Sequence, residues 1–214
     1  MMMRTKRDSQ TGSALTLVEV LVVVAVVALL FAVFIPPVSH PRVTATRIAC
    51  VNNLKQVGLA FRIFAIDHGN KFPMGVSTNK GGSMEYLVTG EVFRHFEVMS
   101  NELSTPVILA CPADNRKRAT NFSVLRNANI SYFLGLDALE TFPQMILAGD
   151  RNLVTNGVPV GSGLLVLTTN VTLGWSAAMH NNSGNVVLGD GSVQMMTSGR
   201  LSDSAGSTNR LLIP

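Results

Sequence analysis

Cys50 and Cys111 are the only thiols in this 214-residue chain. With His68, His95, His180, Asp114, Asp150 and Asp190 they are the side chains best suited to nucleophilic, acid–base or metal chemistry. These residues are scattered, and none falls in a nucleophile–base or metal-ligand spacing. A thiol site could be drawn from Cys50 or Cys111 and a distant histidine, but a cysteine on a helix face is more often core or half of a disulfide. In an oxidising compartment the pair reads as a disulfide, which would stabilise the fold by about 4 kcal/mol in the chain-entropy model. Two buried thiols are the alternative. His180 is expected to hydrogen-bond a loop backbone, with a ligand role as the alternative. Neither a catalytic residue nor a cofactor is expected. Oxygen ligands for Ca2+ could come from Asp190, Asp203 or loop carbonyls, although Asp190 has a simpler use in a turn.

The elements that must position these groups follow from hydrophobic period. Residues 44–66 read as a helix whose apolar face runs Ile48, Val51, Leu54, Val57 or Gly58, Phe61 and Phe64 or Ala65. Gly69 supplies its C′ stop. Residues 70–82 read as loop and 83–103 as a second helix. Strands are expected at 107–110, 130–134, 145–148, 164–168 and 171–175. In residues 185–196, Asp190-Gly191 suits a two-residue type I′ turn, which pairs Leu188 with Val193 and Val186 with Met195.

One carboxylate stands apart. Residues 15–37 read LTLVEVLVVVAVVALLFAVFIPP, an apolar run holding Glu19 near its start. As a helix, Leu15 to Ile35 is roughly 30 Å long, enough to cross a bilayer core. Arg4, Lys6 and Arg7 precede it, so the positive-inside rule puts that end in the cytoplasm and the bulk of the chain outside. A lone acid in such a segment is expensive and asks for a functional reason. Formal net charge is +4, but half of it lies in the leader, through Arg4, Lys6, Arg7 and Asp8. No basic stripe interleaved with aromatics is present, which argues against nucleic-acid binding.

Ser13-Ala14-Leu15-Thr16-Leu17-Val18-Glu19 resembles the processing site of type IV prepilins and type II secretion pseudopilins. That resemblance implies cleavage between Ala14 and Leu15 by a prepilin peptidase and N-methylation of Leu15. Glu19 becomes the fifth mature residue and Pro36 the twenty-second, where that family often carries a helix-distorting proline. Ala14 stands where the family usually has Gly, and Leu15 where it usually has Phe. The new amine in an apolar setting would be neutralised by Glu19 of a neighbouring subunit.

A second resemblance covers most of the remaining chain. His180, nine residues, then Asp190-Gly191 is similar to the C-terminal signature of a prepilin-like group abundant in planctomycetes and verrucomicrobia. Cys50-Val-Asn-Asn-Leu-Lys-Gln56, Lys71-Phe-Pro73, Cys111-Pro-Ala-Asp114, Ser131-Tyr132 and Gly149-Asp-Arg-Asn152 look like further blocks of that group.

The resemblance implies an α+β, pilin-like fold in three parts. These are a leader at 1–14, a transmembrane and assembly helix at 15–37, and a head at 38–214 with an antiparallel sheet packed on the long helix. It also implies a single-pass inner-membrane precursor with a periplasmic head, then a filament with other pseudopilins on a secretion platform. The alternative is a membrane-anchored surface binding or adhesion module that uses the same signal without polymerising.

Overall fold

The computed structural model describes residues 16–34, 41–168, 171–205 and 210–214. The expected cleavage and methylation positions, Ala14 and Leu15, and the expected helix distortion at Pro36 lie outside them. The chain divides into two compact units, Met1–Pro41 and Arg42–Pro214.

In the first unit, α1 spans Leu17–Phe34. Its 18 residues measure about 27 Å, shorter than the run expected from sequence. Among the described residues no helix is long and apolar enough to cross a membrane. Thr16 and Glu19 close a capping box at the start of α1. The Thr16 backbone N–H and hydroxyl donate to Glu19 Oε2 at 2.8 and 2.9 Å, and the Glu19 N–H donates back to Thr16 Oγ1 at 3.3 Å. Two of the helix's orphan N-terminal donors are satisfied reciprocally in this way.

The second unit is mixed α+β with an antiparallel sheet. Its long helix, α2, spans Pro41–Asp67 and stops where expected. Gly69 has φ +63°, and the Asn70 N–H reaches back to the Ala65 carbonyl at 2.8 Å, the outer bond of a Schellman cap. Leu54, Val57, Phe61, Phe64 and Ala65 are buried as the period requires, with Cys50 and Ala60 added, whereas Ile48 faces outward at 56% exposure.

The helix expected at 83–103 is broken into a 3-10 turn at Met84–Tyr86, α3 at Val92–Glu97 and α4 at Ser100–Leu103. Gly90, at φ +75°, interrupts the run before α3. The strand expected at 107–110 is instead a 3-10 turn, Pro106–Leu109, because Pro106 occupies its first turn and Thr105 Oγ1 caps the Val107 N–H.

Among the described residues nine strands follow: β1 Tyr132–Gly135, β2 Ile146–Asp150, β3 Leu153–Thr155, β4 Val158–Pro159, β5 Gly163–Val166, β6 Leu173–Trp175, β7 Ser183–Leu188, β8 Val193–Thr197 and β9 Arg210–Ile213. A short helix, α5 at Ser198–Ala205, precedes β9. Among the described residues six strands form one sheet in the order β5-β9-β1-β2-β7-β8, and three form another, β4-β3-β6.

The central strands of the larger sheet, β9, β1, β2 and β7, are buried on both faces. Tyr132, Leu134, Ala148, Val187 and Leu212 join the α2 core, while Phe133, Ile146, Val186, Leu188, Leu211 and Ile213 join a second core. The second core is closed by Leu153, Leu173 and Trp175 of the small sheet and Leu201 and Ala205 of α5.

The β7–β8 hairpin forms in a different register from that expected. Val187 pairs with Val193 and Val186 with Gln194. Only Gly191 of the Asp190-Gly191 pair has positive φ, +81°, and the Leu188 N–H donates to the Ser192 carbonyl at 2.9 Å. The connection is therefore a three-residue loop with glycine in the left-handed position, and one more loop residue shifts every pairing by one.

The turn lies on α2. A Cβ on Gly58 would stand 2.9 Å from Val187 Cγ1 and 3.0 Å from the Gly191 carbonyl, and Arg62 donates to the Asp190 carbonyl at 3.1 Å. Gly58→Ala should lower the urea midpoint of unfolding, by about 1 kcal/mol or more in stability, although alanine is the better helix former by about 1 kcal/mol. An unchanged or higher midpoint would show that the hairpin is not seated this tightly.

Candidate functional site

Three blocks far apart in sequence meet at the N-terminal half of α2. Cys50 on α2 is bonded to Cys111 with their Cα atoms 5.0 Å apart, so the cysteine pair is a disulfide. The three residues after Cys111 run to Asp114, which receives both arms of the Arg151 guanidinium at 2.7 Å. Burial pushes Asp114 up, but Arg151 and the Ser131 hydroxyl outweigh it and hold the carboxyl below its ordinary range. Next to Arg151, Asn152 donates to the carbonyls of Ser176 and Ser183 and ties the β6–β7 connection down.

His180 lies near the end of that connection. Its backbone carbonyl accepts from Arg47 on α2 at 2.8 Å, and Asn181 and Asn182 follow it with φ +54° and +58°. Two consecutive non-glycine residues in the left-handed region turn the chain back into β7; asparagine tolerates that region better than most residues. The His180 ring was expected to bond a loop backbone but points inward. Its Nε2 is 3.4 Å from Cys111 Sγ and 3.4 Å from Asp150 Oδ2.

Asp150 is fully buried, and its Oδ2 accepts from the Asn185 backbone N–H at 2.7 Å and side-chain amide at 2.8 Å. Loss of hydration pushes Asp150 up to about 7, against the lowering effect of the two Asn185 bonds. His180 moves the opposite way, lowered first by burial and then by the Arg47 charge.

A cleft of about 330 Å3 opens beside this cluster, lined by Thr46, Arg47, Pro112, Ala113, Met179, His180 and Asn181. The disulfide itself is buried, Cys50 and Cys111 being at most 1% exposed, and Pro112 and His180 stand between it and the cleft as lining residues.

The arrangement is not a nucleophile relay. Both sulfurs are spent in the disulfide. One ring nitrogen, Nε2, faces both Cys111 and Asp150, whereas a working triad puts nucleophile and carboxylate on opposite nitrogens.

The other expected site residues fall elsewhere. Asp190 and Gly191 sit at the hairpin turn, where Asp190 Oδ1 accepts from the Ser192 N–H at 2.8 Å. Asp203 is exposed on α5. Among the described residues the one group of three or more Cys, His, Asp or Glu side chains with converging donor atoms is Cys50, Cys111 and His180, so Asp190 and Asp203 belong to no such cluster.

His68 and His95 have separate local roles. His68 stacks on Phe64 at 3.8 Å, and buried His95 pairs with the Ser83 hydroxyl at 2.7 Å.

Sequence reasoning missed Arg47 and the pairing of Asp150 with His180. No local signal marks either, because the partners lie 133 and about 30 residues away. It also missed the Thr16–Glu19 box, which does carry a signal, Thr-x-x-Glu ahead of an apolar run.

The pH dependence of stability follows from Asp150. The folded chain holds that proton to higher pH than the unfolded chain, so this group costs stability as pH rises from about 4 to about 7. His180, with a lowered value, costs stability as pH falls below about 6.5. Asp150→Asn removes the first effect alone. Relative to the native chain, its stability in urea should rise between about pH 4 and pH 7, with a slope of at most about 1.4 kcal/mol per pH unit. A difference that stays constant over that range would contradict the raised value.

Comparison with protein-family models, with curated proteins and with solved structures gives no match.

Proposed function

We propose that the chain is a structural subunit of a type II secretion pseudopilus or a related type IV pilus-like filament. On this reading it is inserted in the inner membrane and cut before Leu15, methylated there, and assembled through its N-terminal helix.

The observation that carries the reading is the surface of α1. Leu17, Val18, Val20, Val22, Val23 and Val26 are 80, 67, 51, 54, 59 and 52% exposed, and at about 100° per residue they are spread all round the helix. A helix that is apolar all round is stable only when lipid or other helices cover it. Lipid would serve the precursor, and sister helices the filament. The head fits a building block, since its polar cluster holds loops together without offering a nucleophile.

The structure adds a competing use for Glu19, as a helix cap, and two substitutions separate the uses. Glu19→Gln keeps the capping geometry and removes the charge. Thr16→Val keeps the charge and removes the two cap bonds made by the hydroxyl. If Glu19 pairs with the amine of a neighbour, the first variant should lose filament assembly and the second should retain most of it, as read by sedimentation of sheared filaments. The reverse pattern would reduce Glu19 to a cap.

Mass spectrometry of the mature chain should find methyl-leucine at Leu15. An intact Met1, or a start beyond Ile35, would overturn the reading.

A second reading, an anchored surface binding module, draws on the cleft beside Arg47 and His180. Cysteines placed singly at positions 20–35 should crosslink into a ladder if the chain polymerises and stay monomeric if it is only an anchor.

A further inference from the structure

We infer that Cys50, Cys111 and His180 form a latent site for a soft or borderline metal ion such as Zn2+, locked while the two cysteines are oxidised and opened by a dithiol reductant. The three donor atoms lie within 4.8 Å of one another, and all three residues are buried. His180 Nε2 already stands 3.4 Å from Cys111 Sγ. Tetrahedral zinc, with Zn–S of about 2.3 Å and Zn–N of about 2.0 Å, needs nitrogen and sulfur about 3.5 Å apart. The imidazole is therefore in place, and only the sulfurs must separate.

A second observation points to the same spot. Asp150 Oδ2 is 3.4 Å from that Nε2, while its Oδ1 is buried with no hydrogen-bond partner. The cleft lined by Pro112, Ala113, Met179 and His180 gives an ion a route in and leaves room for water at an open coordination position.

The chemistry balances. The dithiol reductant passes two electrons and two protons to the Cys50–Cys111 bond and becomes a disulfide itself, leaving two thiols. Zn2+ then binds both sulfurs as thiolates and releases their two protons to solvent, while His180 ligates through Nε2 as the Nδ1–H tautomer.

The test uses the full chain in detergent micelles, reduced under anaerobic conditions and freed of reductant, with Co2+ as the probe. The reduced chain should take up one Co2+ with a thiolate-to-cobalt charge-transfer band that Zn2+ bleaches. The oxidised chain should show no band. His180→Ala should weaken binding by about tenfold or more while leaving the circular dichroism of the oxidised chain unchanged. Uptake that is equal in the oxidised chain, absent in the reduced chain, or unaffected by His180→Ala overturns the site. Should reduction melt the fold, recovery of the dichroism on adding Zn2+ supports the site and failure to recover overturns it.

Discussion

Gly58 has no side chain, and so the Gly191 carbonyl can come to rest on the backbone of α2. Much of the head depends on that contact. Arg47 holds the start of the β7–β8 hairpin through the His180 carbonyl and the Ser183 hydroxyl. Gly58 and Arg62 receive its turn, and between these points Val187 enters the α2 core. The strand thus runs alongside the helix for about 20 Å, fixed at both ends. This gives His180, Asp190 and Gly191 a shared mechanical reason. His180 marks where the hairpin leaves the helix N-terminal half, and Asp190-Gly191 mark where it returns to the helix surface.

How much of this was legible depends on how local each signal is. The α2 stop at Gly69 was readable because the cap is made by neighbours. The hairpin was readable, but its register was not. Whether Asp190 or only Gly191 takes positive φ changes the loop by one residue, and the sequence motif is the same for both. β3, β4, β9 and α5 went unread. β9 lies in a sheet covered on both faces, so its alternation is lost, while β3 and β4 are only three and two residues long and α5 is a short polar helix, too little for a period to show. The pairing of Cys50 with Cys111 was open from sequence and is made in the structure where the segment after the 3-10 turn meets α2, Asn53 donating to the Ala110 carbonyl beside the disulfide.

The polar cluster under α2 illustrates a cost accepted for placement. A buried carboxylate such as Asp150 is unfavourable by several kcal/mol unless it is neutral or well bonded. Here Asn185 supplies two bonds and fixes β7 against β2, while His180 closes the other side. An apolar residue at 150 would avoid the cost, but it would leave the Asn185 side-chain amide without its acceptor. The cluster thus gives directional contacts, in the form of hydrogen bonds of fixed geometry, to a region whose other contacts are non-directional packing.

Glu19 raises the same question at the other end of the chain. In the isolated subunit its carboxylate is bound by its own Thr16, and both bonds fall on Oε2. A capped carboxylate is not an idle one, because an oxygen accepts more than one donor and a carboxylate has two oxygens. The cap also fixes the side chain at the helix start, next to residue 15, where the proposed reading puts the new amine. A side chain already held there loses little rotamer entropy when a neighbour's amine arrives, whereas a free glutamate would lose about 1.5 to 2 kcal/mol. The helix dipole argues in the same direction: its positive end favours the ionised carboxylate before any partner is present. Capping and amine pairing are therefore compatible on this geometry, with the first preparing the charge for the second.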